Sequence, residues 1–293
     1  MSKIKVAGVQ MNVDFADAAA NLKRMSAALE TTTTEGAWLT VFPECTTTGY
    51  CFDSLEEAKT VAEPIDGRTM AEVVQLCGKF ETRIIYGFLE SVGEKIFNSL
   101  ALVDSTGVLG SYRKVHLPFL GVDRFTTPGD CFDVVSLPQI RIGMNICYDS
   151  SFPEAARVLA LKGADLICLP TNWPPTSGRT SEFIPNARAL ENHVYFMAIN
   201  RIGTERGFQF IGNSKICDPG GAELASAMHD GEAILYAEID PELARQKHRV
   251  AIPGAHEVHR MNDRHPIAYG SITDPKTITD PKTIAEPKTS TGN

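Results

Sequence analysis

Three side chains in this 293-residue sequence could act together as nucleophile, base and positive neighbour, and each falls where an apolar run ends. Cys147 lies in "RIGMNICYDSSFPEAAR", where a strand-like run gives way to a helix start. A thiol attacks as the thiolate, so it needs a base or a positive neighbour to release its proton. Glu44 closes the run "WLTVFPE" and leads into "CTTTGY"; Lys114, beside Arg113, closes a third run in "SYRKVHLP". A carboxylate can serve as the base and an ammonium as the neighbour. Singly, each has a plainer reading: Cys147 as a core thiol like Cys168, Glu44 and Lys114 as solvated charges at strand ends. They form a catalytic constellation only if three strand ends converge.

The elements that would have to bring them together can be read from periodicity. A strand over 3–11 is followed by an Asp-capped helix near 17–30, a strand at 38–42 and helices near 54–62 and 68–80. Three strands follow, "RIIYGFLE", "NSLALVD" and "VLGSYRKV". After a Pro- and Gly-containing loop (117–131) come strands "FDVVSL" and "RIGMNIC", a helix at 152–162, strand "LICLP" and a helix at 181–192. The strands "VYFMAIN", "FQFIGNSKIC" and "ILYAEID" close the second half. Each half thus runs from strand–helix–strand–helix into a three-strand meander. This predicts an α/β protein of two similar sheets packed face to face with helices outside. Ser151 and Glu154, three apart, read as a capping box with Pro153 in the first turn. Cys147 would then sit at the carboxyl end of a buried strand, where open α/β sheets bind ligands. There the N–H of Tyr148 would be free to donate to an oxyanion.

Composition narrows the function classes. Apolar residues make up 43% and charged residues 22%, ordinary for a globular protein. The net charge of −8 argues against nucleic acid as a partner, since a phosphate-binding face needs clustered Lys and Arg. The opening "MSKIKVAGVQ" lacks the apolar run of a secretory signal, and no apolar stretch is long enough to span a membrane, so a cytoplasmic location is expected. The seven cysteines are odd in number and include no C-x-x-C pair, which argues against a disulfide framework or zinc ribbon. His193, His248, His256, His259 and His265 are not at metal-ligand spacing, and no Gly-rich phosphate loop occurs; no cofactor and no metal are implied. Residues 274–291, "DPKTITDPKTIAEPKTST", repeat a hexapeptide with three Pro, three Lys and three acids, and read as a disordered tail.

Six motifs, in order along the chain, resemble those of the nitrilase superfamily of carbon–nitrogen hydrolases, in its amidase and carbamoylase branches. "VFPECTTTGY" is similar to the family's glutamate motif, "YRKVHLP" to its lysine motif and "CYDSSFPEAARVLALKGADLICLPTNW" to its nucleophile motif. "RALENHVYFMAINRIG", "FIGNSKICDPGG" and "NDRHPIAY" match later landmarks. The resemblance implies a four-layer α-β-β-α sandwich over residues 1–270, with 271–293 as the tail. It also implies a Glu44–Lys114–Cys147 triad: Glu44 as general base, Cys147 attacking a carbonyl or nitrile carbon, Lys114 and the Tyr148 N–H holding the developing oxyanion. The expected partner is a small amide, N-carbamoyl compound or nitrile.

One departure stands out. Many members of the family carry a second glutamate after the lysine motif, whereas "LPFLGVDRFTTPGD" holds none. Asp123 either takes that place with a shorter reach or caps a turn. Tyr50, Tyr148, Asn172 and Trp173 lie on loops after the same strand ends and either line a small pocket or pack its rim. Three functions stay open: an amidase, a nitrilase, or a binding protein that keeps the fold without turnover, the last disfavoured by the intact Glu–Lys–Cys set. The resemblance further implies a homodimer, with the basic, His-rich stretch 245–265 as a candidate contact.

Overall fold

The computed structural model describes residues 3–274, in two compact units divided after Lys247. The first begins with β1 (Ile4–Gln10), α1 (Ala18–Thr34), β2 (Leu39–Val41), α2 (Leu55–Lys59), α3 (Arg68–Phe80), β3 (Arg83–Val92), β4 (Lys95–Asp104) and β5 (Gly107–Arg113). It continues through β6 (Val134–Ser136), β7 (Arg141–Met144), α4 (Pro153–Leu161), β8 (Leu166–Thr171), α5 (Gly178–Asn192) and β9 (Tyr195–Asn200). It ends with β10 (Ile202–Glu205), β11 (Phe208–Ile211), β12 (Ser214–Cys217), β13 (Glu223–Ala227), β14 (Ala233–Ile239) and α6 (Pro241–Arg245). The second unit holds the hairpin β15 (Arg249–Ile252) and β16 (His256–Val258), then a short helix α7 (Gly270–Thr273). The repeat tail lies outside the described residues.

Two six-stranded sheets carry the first unit, ordered β14-β1-β2-β3-β4-β5 and β13-β12-β9-β8-β7-β6. In each, three strands run parallel (β1, β2, β3 and β7, β8, β9) with antiparallel strands on both sides. The parallel strands need helical crossovers, and these supply the outer layers. On α1, Leu22, Met25 and Leu29 form one buried stripe at helical spacing; with Met70, Val73 and Cys77 of α3 they pack on Val9, Ile84, Tyr86 and Ala101 of the first sheet. Helix α5 packs on β9 and β12 of the second sheet, and α4 lies beside α5 with Leu159 against Gly143 of β7. The inner faces meet at Gly8, where a Cβ would lie 2.1 Å from the Ile199 side chain, so only glycine lets β1 approach β9. The result is the expected four-layer α-β-β-α arrangement.

The structure corrects two local expectations. Ser151 does not cap α4: Cys147–Ser151 forms a 3-10 turn, Phe152 is the N-cap in extended backbone, and no side chain caps it. Pro153 is the cause, since it disfavours helical backbone in the residue before it. The second half also does not end in its own meander. "FQFIGNSKIC" breaks at Gly212 (φ +63°) and Asn213 (φ +57°) into β11, which pairs with β10, and β12. Strand β14 crosses to the first sheet and pairs with β1 over seven residues, Ile4–Gln10 against Ile239–Ala233. It covers an edge that would otherwise expose unpaired N–H and C=O groups.

Candidate active site

Glu44, Lys114 and Cys147 each leave the carboxyl end of a strand or the residues just after it, and the packed sheets bury all three. Glu44 follows β2, whose partner β3 continues past it: Gly87 N–H donates to Pro43 O at 3.3 Å and Thr47 N–H to Gly87 O at 3.3 Å. A Cβ on Gly87 would lie 2.3 Å from Cys45 N, so glycine there sets how closely the Glu44 backbone can lie on β3. Lys114 directly follows β5, with its N–H on Asn98 O of β4 at 2.9 Å. Cys147 opens the 3-10 turn with φ +42°, left-handed backbone that costs a non-glycine residue about 1–3 kcal/mol unless its surroundings fix it.

Charges and hydrogen bonds tie this cluster together. Lys114 Nζ donates to Glu44 Oε1 at 2.8 Å and to Asp123 Oδ2 at 2.5 Å, with all three side chains fully enclosed. Asn98 Nδ2 bridges the two carboxylates, to Glu44 Oε1 at 2.7 Å and Asp123 Oδ1 at 2.9 Å. The Tyr50 hydroxyl donates to Asp123 Oδ2 at 2.7 Å, with Leu120 O as a second, longer acceptor at 3.1 Å, and the Tyr50 ring lies 5.9 Å from Lys114 Nζ. Asp123 therefore joins the cluster rather than only closing its own turn, Gly121–Arg124. From the end of β10, Glu205 accepts the N–H groups of Tyr50 and Cys51 and pairs with the buried Arg201. This holds the loop that carries Tyr50.

Protonation follows from this enclosure. Burial raises the Glu44 carboxyl above the usual range; Lys114 opposes the shift and Asp123 adds to it. Burial works against the Lys114 ammonium, but Asp123 and Glu44 outweigh it and hold its pKa well above the ordinary lysine value. Burial, and then the Glu44 carboxylate, push the Cys147 thiol up to about 12, against the pull of Lys114, the Thr171 side chain and the Asn172 backbone. The thiol is therefore neutral near pH 7, and any attack by it would require removal of its proton. Glu44 Oε2 is buried and has no hydrogen bond among the described residues, since Oε1 takes both Lys114 and Asn98. One carboxylate oxygen is thus left without a donor, as a group able to accept a proton would be.

The remaining sequence candidates divide. Asn172 and Trp173 follow β8, both buried; the Asn172 backbone faces the thiol, while the Trp173 main chain is bound to Asn200 Oδ1 at 2.9 Å. Tyr148 is 39% exposed with its ring edge on Phe152, at the rim rather than among the buried charges. Residues that sequence reading passed over are Asn98, Thr171 and Asp149. Asn98 carried a signal, an amide inside the apolar run "IFNSLALV". Among the described residues no group of three His, Cys, Asp or Glu side chains could hold a metal ion, and no helix is long and apolar enough to cross a membrane.

Comparison with known proteins follows the same lines. A carbon–nitrogen hydrolase family model matches residues 5–249. The chain is similar to a nitrilase of Pyrococcus abyssi, 38% identical over 249 residues that cover 83% of this chain and 92% of that protein. It is similar to the omega-amidase NIT3 of Saccharomyces cerevisiae, 30% identical over 268 residues, 86% of this chain and 91% of that one. Among solved structures, an amidase of Nesterenkonia sp. AN1, with the acetamide moiety of fluoroacetamide added covalently at its active-site cysteine, superposes with a TM-score of 0.77. That likeness, at 22% identity and covering 92% of this chain and 96% of that one, is one of fold.

Proposed function

Because this chain belongs to the carbon–nitrogen hydrolase family, we propose that it hydrolyses a small non-peptide amide or N-carbamoyl compound through a thioester on Cys147. The observation that carries the reading is the free Glu44 Oε2 in a cluster whose thiol is neutral at pH 7. Glu44 takes the Sγ proton as sulfur bonds to the carbonyl carbon. The electron pair displaced onto oxygen meets Lys114, whose positive charge two carboxylates secure. Collapse of the tetrahedral adduct breaks the carbon–nitrogen bond, and Glu44 returns the proton to the departing nitrogen, which leaves an amide substrate as ammonia. Water then attacks the thioester with Glu44 as base again, and the acid departs as the thiol re-forms. Asp123, Asn98 and Tyr50 hold the two reacting charges in register.

A second reading, a nitrile taken to its acid by the same groups, is favoured by the 38% identity to a protein named as a nitrilase. Association into a homodimer, supported by the stretch 245–265, belongs to the same proposal; light scattering that finds a single-chain mass at all micromolar concentrations refutes it. The test of function is ammonia release from a panel of amides, nitriles and N-carbamoyl compounds, with Cys147→Ala as control. Amides or N-carbamoyl compounds turned over by the parent but not by the Ala variant support the first reading; turnover confined to nitriles selects the second. Substantial activity in Cys147→Ala refutes the thiol mechanism.

A further inference from the structure

The strained Cys147 turn and the Lys114 segment come from different sheets, yet the reaction needs them in fixed register. The side chain that joins them is Asp149. Its carboxylate is fully buried and accepts four hydrogen bonds. One comes from within the turn, Ile146 N–H to Oδ2 at 2.9 Å. Three come from the lysine segment: the Tyr112 hydroxyl to Oδ2 at 2.6 Å, His116 N–H to Oδ1 at 3.0 Å, and His116 Nδ1 to Oδ1 at 2.8 Å. Tyr112 lies one residue before the end of β5 and His116 lies in the bend that follows Lys114, where Val115 N–H also donates to the Tyr112 hydroxyl at 3.3 Å. The tether grips the residues two before and two after the ammonium. A carboxylate only accepts, so the imidazole is fixed with its hydrogen on Nδ1. The ring is also clamped face to face on Phe152, 3.7 Å between centroids and 8° from parallel, at the far end of the same turn. Other bonds close the turn itself: Ser150 Oγ to Cys147 O at 2.7 Å, and Arg188 Nε and Nη2 to Ser150 O at 3.1 and 3.0 Å. They do not reach the lysine.

We propose that Asp149 is a positioning residue which, through His116 and Tyr112, sets the distance between the Cys147 nucleophile and the Lys114 ammonium. The proposal rests on the reading of Cys147 and Lys114 as the reacting groups. It predicts a specific asymmetry at His116, whose two attachments can be separated. His116→Phe keeps a ring to stack on Phe152 and loses the Nδ1 donor; His116→Asn loses the stack and keeps a donor in the Nδ1 position. Misplacing a reacting group by about 1 Å can cost about 10² in rate, so His116→Phe should lose kcat by about 10- to 100-fold with KM and melting temperature near those of the parent. His116→Asn should retain most of kcat even where it melts earlier. Asp149→Asn, which leaves one donor facing an amide N–H, should behave as His116→Phe if it folds. Full kcat in His116→Phe, or kcat that follows melting temperature across the variants, overturns the proposal. A parent enzyme with no activity on any amide, carbamoyl compound or nitrile would instead refute the function proposed above, and that is seen before a variant is made.

Discussion

Replacing Asp123 by Asn removes one of the two negative charges on Lys114 with almost no change of shape. The enclosed set holds Glu44 (−1), Asp123 (−1) and Lys114 (+1), a sum of −1 that the substitution takes to zero. An ion pair about 4 Å apart at an effective dielectric of about 20 is worth about 4 kcal/mol, and stripping one partner from a buried pair costs about 3–5 kcal/mol. Lys114 keeps Glu44 at 2.8 Å, so the lower end, about 3 kcal/mol, applies. At about 2–4 °C per kcal/mol for a chain of this class, melting should fall by about 6–12 °C.

The pH profile carries the sharper signature. Burial is the main reason the Glu44 pKa is raised, and Asp123 adds to that rise against Lys114. Without Asp123 the Glu44 pKa falls, the base is deprotonated at lower pH, and the acid limb of kcat/KM moves down. Lys114 resists burial mainly through Asp123 and then Glu44, so its pKa falls too and the alkaline limb moves the same way. The limbs belong to the coupled set rather than to single residues. A weaker base and a less firmly held ammonium should lower the maximum by about 10². The assay is ammonia release across pH, with a melting curve at each point. Limbs that stay in place with an undiminished maximum would show that Asp123 does not act on the reacting charges.

Further outcomes test other parts of the site. Glu44→Gln cannot take a proton and should neither acylate nor deacylate, whereas Lys114→Arg keeps a displaced charge and should bind substrate but acylate about 10²–10³ slower; a Cys147 adduct that builds up rapidly in Glu44→Gln, seen by mass spectrometry, would leave Glu44 a role in deacylation alone. Gly87→Ala would place a Cβ 2.3 Å from Cys45 N, so it should displace Glu44 and cut kcat without touching substrate, and unaltered kcat with unaltered melting would refute this. Lys247 donates to the carbonyls of Asn192, His193 and Ala244, and burial lowers its pKa from 10.5 to about 8. Between those values the unfolded chain holds the proton and the folded one does not, so this residue makes stability rise with pH across that window. Compared with the parent, Lys247→Met should lose that rise in urea midpoints, and an identical pH dependence in both proteins would refute the assignment.

Much of this was legible because the signals are local. Periods of two and 3.6 residues placed the strands and helices. The apolar runs that end in Glu44, Lys114 and Cys147 placed those three at strand ends, because a break in a strand-like run marks where the strand gives way to a loop. The misplaced features have equally local causes. At Ser151 a capping pattern was present, but Pro153 forced the preceding residue out of helical backbone. At Asn213 and Gly212 left-handed backbone cut one apolar run into two strands.

Sequence alone determined the chemistry available: one thiol, one carboxylate and one ammonium at strand ends, and an aspartate where a glutamate is common. Whether Asp123 reached the ammonium or merely closed a turn was decided in three dimensions. Its turn is drawn to Tyr50 by the bond from Val122 N–H to Tyr50 O at 2.8 Å, and Asn98 on a neighbouring strand joins both carboxylates. The state of the thiol was likewise decided by the fold, since burial rather than residue type sets its pKa near 12 and makes a base necessary. The tether through Asp149 joins residues 33 and 37 positions apart in sequence. No spacing rule predicts such a contact, because the packing of one sheet on the other, and not the local chain, brings a carboxylate opposite its donors.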